Sequence, residues 1–248
     1  MRGLRRLLEG QPWRSAFSRL WPKDYRGRVR AMVSNFVLHL HPVAIRQHAL
    51  RLRYTWCMGG LAAFLFLIET ITGVLLMFYY RPTPEAAYRD VLDLTEVIAL
   101  GVMRELHRWA GHAMVVVVML HMLRVFLTGS YKPPREFNWV LGVGLLVLTF
   151  LLSFTGYLLP WDQLAFWAVT VGSDMAGHAP VVGAEGPVSA TAGGAIDLRF
   201  LLLGAPRVGG ETLLRFYVWH CVGLPLAAAA LMGWHFWRVR KDGFSGPL

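Results

Sequence analysis

Four stretches of this chain are so long and so apolar that one environment suits them. They are residues 56–80 (WCMGGLAAFLFLIETITGVLLMFYY), about 109–128 (WAGHAMVVVVMLHMLRVFLT), 139–159 (WVLGVGLLVLTFLLSFTGYLL) and about 216–237 (FYVWHCVGLPLAAAALMGWHFW). Each has roughly the twenty residues that a helix needs to cross a hydrocarbon core of about 30 Å. Lipid offers no partner to a bare N–H or C=O, so a single spanning segment satisfies its backbone by coiling into a helix. The expected fold is therefore all-α and integral to the membrane, with four transmembrane helices. Composition agrees: 55% of the 248 residues are hydrophobic and 16% charged, against about 25% charged in a soluble domain.

A net charge of +10 raises the question of nucleic acid, and the distribution of the charge answers it. Twelve of the 25 Lys/Arg lie in residues 1–53. Arg124, Lys132 and Arg135 lie around the junction of spans two and three, and Arg238, Arg240 and Lys241 follow span four. With an even number of spans these fall on one face, against seven on the other, so the positive-inside rule puts both termini on the cytoplasmic, or n, side. The partner of this basic face is membrane lipid and not nucleic acid. The opening MRGLRRLLEGQPWRSAF lacks the apolar run of a cleaved signal. It suits a helix on an anionic membrane surface or a basic tail. Residues 36–52, with Pro42, read as an interfacial segment in which His39, His41 and His48 are structural. The chain then divides into a basic n-side arm, 1–53, and a four-helix domain, 54–248. The domain has a p-side loop at 81–106, a short n-side turn at 129–138 and a long p-side loop at 160–215. The start of that long loop, PWDQLAFWAVTVG, is suited to a short interfacial helix, and the rest reads as ordered loop.

Polar groups inside a span are costly and are usually there for function. On a helix, 14 residues advance about 21 Å and return to within roughly 40° of the starting direction, so His107 and His121 project from one side of span two near opposite leaflets. His112 points elsewhere. In span four His220 and His235 are 15 apart, and both helices run from the p-side to the n-side. His107 is thus level with His220, and His121 with His235. Two imidazoles at one depth suit the axial positions of a low-spin haem; zinc fits poorly, for want of a Cys or carboxylate to complete a tetrahedron. Gly59 and Gly73 in span one, and Gly142 and Gly156 in span three, repeat the 14-residue interval, and glycine admits a flat macrocycle close to the backbone. Arg104, Arg108, Lys132 and Arg135 lie at the two depths where haem propionates need cationic partners. Cys57 and Cys221 open spans one and four on opposite sides of the bilayer, too far apart for a disulfide.

With these pairs in place, FYYRPT (78–83), HRW (107–109), LTGSYKPPRE (127–136), TGYLLPWDQ (155–163), RFY (215–217) and KDGFSGPL (241–248) resemble the cytochrome b6 subunit of b6f-type quinol:electron-acceptor oxidoreductases. The likeness runs from about residue 54 to 248, weakening over about 173–210. It implies two b haems, one on His107 and His220 at the p-side and one on His121 and His235 at the n-side. It also implies quinol oxidation at the p-side. One electron then passes to a Rieske iron–sulfur protein and a c-type cytochrome, and the other crosses the b haems to an n-side quinone, coupled to proton translocation. Tyr157, Pro160 and Trp161 fall at the border of the quinol pocket. Cys57 matches the cysteine that attaches a further c-type haem by one thioether, with Arg240 beside it, and Cys221 is packing. Glu69 stands where the family pattern implies an amide, as a hydrogen-bonded structural acid or a proton-handling one. No P-E-W-Y motif occurs, so the quinol-site glutamate is expected on a second, subunit IV-like helical polypeptide, and this chain alone is expected to bind haem without turning over quinol. The resemblance implies a homodimeric complex, expected in a bacterial cytoplasmic membrane and not in a thylakoid-type one. Two other readings share the histidines: a di-haem anchor of a quinone-linked dehydrogenase, against which PWDQ and Cys57 argue, and a non-redox transport or structural bundle.

Overall fold

The computed structural model of the chain describes residues 24–34, 47, 55–184, 186–191 and 197–243. The surface helix or basic tail expected in residues 1–17, the interfacial segment with His39, His41 and His48, and the ending after residue 243 lie outside the described residues. Among the described residues every regular element is helical, and four helical segments are long and apolar enough to span a membrane: Met58–Met77, Ile98–Leu127, Glu136–Leu158 and Gly210–Asp242. The described residues group into two compact units, one from 57–123 and 143–230, the other from within 1–56, 124–142 and 231–248.

In the larger unit, α2 (Met58–Met77) starts after two consecutive left-handed residues, Trp56 (φ 52°) and Cys57 (φ 51°). This conformation is strained for side chains other than glycine. The expected 81–106 loop is instead largely helical. A short α3 (Ala87–Glu96) is followed by α4 (Ile98–Leu127), which begins well before residue 109. A local contribution comes from Glu105, which binds Arg108 one turn on (Nε 3.0 Å), an i,i+3 pair of the kind that supports a polar helical extension, and also reaches its neighbour Arg104 (2.9 Å). At the foot of α3, the Asp90 carboxylate accepts from the backbone N–H of Arg81 (2.8 Å) and from its guanidinium Nε (3.0 Å).

Beyond α5 (Glu136–Leu158), the PWDQ segment does open a helix, α6 (Gln163–Gly177). Asp162 caps it by accepting from the N–H of Ala165 at 2.8 Å, which satisfies one of the four orphan donors of the first turn. The remainder, expected as loop, contains two short helices, α7 (Pro187–Thr191) and α8 (Leu198–Leu203). Here lies the best-buried apolar cluster: Leu158, Ala165, Val169, Leu203 and Phe216, with Trp161 and Val208 against it. Buried Thr212 donates to the Leu203 carbonyl (3.0 Å) and ties the next helix, α9 (Gly210–Val218), to the end of α8.

The fourth span is not uniform. After α9 come five residues of π-helix, Trp219–Gly223, and then α10 (Leu224–Asp242). Pro225 explains the widening. It has no N–H for the Cys221 carbonyl, and its ring would strike that carbonyl in a tight α-turn.

The smaller unit contains α1 (Tyr25–Ser34) and the facing ends of α5 and α10. Arg135 Nε donates to the Gly243 carbonyl at 3.2 Å. The Arg238 guanidinium lies 5.5 Å over the Phe137 ring and 2.9 Å from Asp242, and Phe137 meets Trp234 edge-on at 5.3 Å.

Candidate functional site

Two imidazoles from different spans meet within the larger unit. The rings of His107, on α4, and His220, in the π-helical segment, have centres 6.2 Å apart and planes 82° apart. Two imidazoles on opposite sides of one metal, with metal–nitrogen bonds of about 2 Å, have ring centres about 6 Å apart.

Each ring is held from behind by a Thr-Gly pair. Thr72 Oγ1 is 2.8 Å from His107 Nδ1 and 2.7 Å from the Ile68 carbonyl. A hydroxyl has one proton, and a carbonyl can only accept, so that proton goes to Ile68 and the Thr72 oxygen accepts from Nδ1–H. Thr155 repeats the arrangement on α5, with its hydroxyl 2.8 Å from the Leu151 carbonyl and 3.1 Å from His220 Nδ1. Protonation at Nδ1 leaves Nε2 of both rings with a lone pair to offer a metal. Beside each threonine is the glycine. A Cβ at Gly73 would lie 3.1 Å from His107 Cε1, and one at Gly156 only 2.6 Å from His220 Cε1. Glu69 adds a third contact, with Oε2 3.0 Å from His107 Nδ1.

His121 has a related setting in the same unit: a Cβ at Gly59 of α2 would lie 3.4 Å from its Cε1. His235 belongs to the other unit, on α10, and Gly142 is buried on α5. His112 is exposed and packs edge-on against Trp109 at 5.7 Å, in an environment of its own. Of the cationic residues, Arg104 and Arg108 share Glu105, Arg135 binds the Gly243 carbonyl, and Lys132 is exposed. Cys57 is exposed at the start of α2 and Cys221 half-buried beside His220, and Arg240 lies in the last turn of α10.

The quinol-border residues lie together at the α5–α6 corner. Tyr157 is half exposed, and Pro160 and Trp161 are partly buried, Trp161 turning the chain at φ 52°. Tyr80 donates to the Leu159 carbonyl (2.5 Å) and stacks on Tyr217, with ring centres 5.5 Å apart, so that α2, α5 and α9 meet there. Sequence reasoning passed over Tyr80, Tyr217, Thr72 and Thr155. The tyrosines close the FYY and RFY motifs, and the threonines precede the glycines as the dipeptide Thr-Gly in both α2 and α5.

A family profile described as "Cytochrome b/b6/petB" matches residues 45–243. The cytochrome b6 of Heliobacterium mobile is 44% identical over 209 residues, covering 84% of this chain and 91% of that protein. The cytochrome b6 of Synechocystis sp. is 42% identical over 194 residues, covering 78% and 82%. The chain belongs to the cytochrome b/b6 family. Among solved structures, a chain of "Hyperthermophilic respiratory Complex III" superposes with a TM-score of 0.69 at 30% identity, over 78% of this chain. Only 49% of that solved chain is covered, so this cytochrome b/b6 chain spans about half its length.

Membership implies haem b, and the residues of the His107–His220 site fit it. The donors are imidazoles with Nδ1 engaged, the ring spacing suits one metal between them, and glycine stands where a Cβ would crowd each ring. As a cytochrome b/b6 protein with four apolar helical segments, the chain is a multi-pass membrane protein.

Proposed function

We propose that this chain is the haem-carrying core subunit of a membrane quinol:electron-acceptor oxidoreductase. It conducts electrons from quinol oxidised at the p-side, across two b haems, to an n-side quinone, and so couples electron transfer to proton translocation. The observation that carries this is the pair His107 and His220, set 6.2 Å apart on separate spans with Nδ1 of each ring on a buried threonine.

Haem b bound there supplies one-electron chemistry, with iron alternating between ferric and ferrous. The chain's own work is positioning. Thr72 and Thr155 fix the tautomer and aim of the two ligands, Gly73 and Gly156 leave the rings room, and the apolar spans exclude water. For the n-side haem the assignment of His121 and His235 rests on their interval from His107 and His220. Arg104 and Arg108 are nominated for p-side propionates, in exchange for their bond to Glu105, and Lys132 and Arg135 for n-side ones. Tyr157, Pro160 and Trp161 border the quinol pocket. Cys57 is nominated to carry a c-type haem through a single thioether, near Arg240, and its exposure at the start of α2 leaves the thiol accessible. The glutamate of quinol oxidation comes from a subunit IV-like partner, and the electron acceptors are a Rieske iron–sulfur protein and a c-type cytochrome, in a homodimeric complex of a bacterial cytoplasmic membrane with both termini inside.

The test is optical. The purified complex is expected to show a haem b band in its reduced-minus-oxidised spectrum, and its pyridine haemochrome two b haems for each c-type haem. Haem stain is expected to stay on this polypeptide through denaturing electrophoresis and to vanish in Cys57→Ala. A complex lacking the haem b band would return the chain to a non-redox bundle.

A further inference from the structure

Glu69 is the only charged residue in the sequence of α2, and a carboxyl within a span is expensive unless something there needs it. Its surroundings single out what it serves. Oε2 lies 3.0 Å from His107 Nδ1. Oε1 is buried and, among the described residues, has no hydrogen-bond partner; a Cβ placed at Gly111 of α4 would lie 3.7 Å from it. The side chain of Glu69 is 21% exposed and that of His107 23%. Among the described residues the close polar contact of Glu69 is with the rear nitrogen of the His107 ring. Thr72 gives its own proton to Ile68, so its oxygen accepts from Nδ1, and Glu69 Oε2 stands 3.0 Å from the same nitrogen as a second oxygen behind the ring.

We propose that Glu69 is a positioning residue that sets the redox potential of the haem held by His107, by drawing on the Nδ1 proton of that ligand. This rests on the reading of His107 as an axial ligand. A strong acceptor at Nδ1 pulls the proton away from the ring and enriches Nε2 in electron density. A richer Nε2 favours ferric over ferrous iron and lowers the potential. A hydroxyl acceptor such as Thr72 does this weakly and a carboxyl strongly, so it is Glu69 that distinguishes the back of His107 from that of His220, which meets the Thr155 hydroxyl.

The experiment uses the assembled complex, with Glu69→Gln, Glu69→Leu and Glu69→Asp, and titrates the two b haems by their visible bands, the n-side haem serving as internal reference. The potential of one haem is expected to rise, most in Glu69→Leu and less in Glu69→Gln, while the other haem stays where it was. The near-infrared charge-transfer band of the ferric p-side haem, which follows ligand basicity, is expected to move with it. Glu69→Asp, which keeps an acceptor at a shorter reach, covers failure of the larger changes to assemble and is expected to give the smallest rise. Full haem content with both potentials and the band unmoved would overturn the proposal while leaving the ligand assignment intact. Absence of haem b from the unaltered complex would instead remove the ligand assignment itself.

Discussion

Thr72 and Thr155 each have a single hydroxyl proton, and each spends it on a carbonyl of its own helix, Ile68 and Leu151. That bond is common for a threonine in an apolar helix; here it decides which nitrogen of a neighbouring imidazole carries hydrogen. The adjacent glycines turn the same place into a gauge of available space. An alanine methyl at Gly156 would come 2.6 Å from His220, at Gly73 3.1 Å from His107 and at Gly59 3.4 Å from His121. The last is ordinary contact and the first is not, and overpacking of this kind costs about 1–3 kcal/mol. Haem b retained per purified chain is therefore expected to fall most in Gly156→Ala, less in Gly73→Ala and little in Gly59→Ala. The reverse order would mean that these rings do not sit against these glycines when haem is bound. The glycine interval was legible in the sequence because it repeats that of the histidines. Which side chains stand against them was not: Gly59, Gly73 and Gly156 lie beside the rings of His121, His107 and His220.

Elements were legible where lipid dictates them and illegible where water or proline does. The four spans follow from apolar length alone, and the aromatic and apolar residues after PWDQ point to a short helix there. The short helices after residue 186 have no sustained apolar period, and α8 packs against α6 and α9, information absent from the local sequence. The π-helical turn depends on Pro225, and it alters the register on which the histidine argument rests. A π-turn takes in one residue more than an α-turn, so the 15-residue interval from His220 to His235 counts as the 14 of His107 to His121. Pro225→Ala would restore the missing N–H and let the α-register run through, rotating His220 by up to about 100°. The b-haem content is then expected to drop toward half, measured by pyridine haemochrome; an unchanged value would mean that the π-turn persists without the proline. At the foot of α3, hydrogen bonds from the Arg81 guanidinium hold the Asp90 carboxyl below the usual carboxylate range. Such a tie is fully present above the unfolded carboxylate value of about 3.9 and is lost as pH falls through the lowered folded value. Amides of α3 are expected to exchange faster in Asp90→Asn than in the unaltered chain at neutral pH. That difference should close only in strong acid, and equal rates at neutral pH would show that the tie contributes nothing.

For the molecule as a whole, the spans are distinguished by how little of them the chain covers. Between 6% and 17% of each spanning window is buried inside the structure, so lipid and other subunits must cover the rest. Among the described residues, the cluster of buried apolar side chains sits at the end of the spans where α6, α8 and α9 pack. Sequence reading anticipated the lipid-facing surface, since apolar composition reports it directly. It did not anticipate that the ends of two spans, at Leu158 and Phe216, pack into one cluster with α6 and α8. The lengths of the helices add one more point. α2 has 20 residues and α4 has 30, about 30 Å against about 45 Å. A hydrocarbon layer of about 30 Å accommodates the first and not the second, which leaves roughly ten residues of α4, including the Arg104–Glu105–Arg108 cluster, standing among and above the headgroups. The membrane surface at that end is thus no level plane but has a stiff, charged peg rising from it, an obstacle or a foothold for whatever docks there.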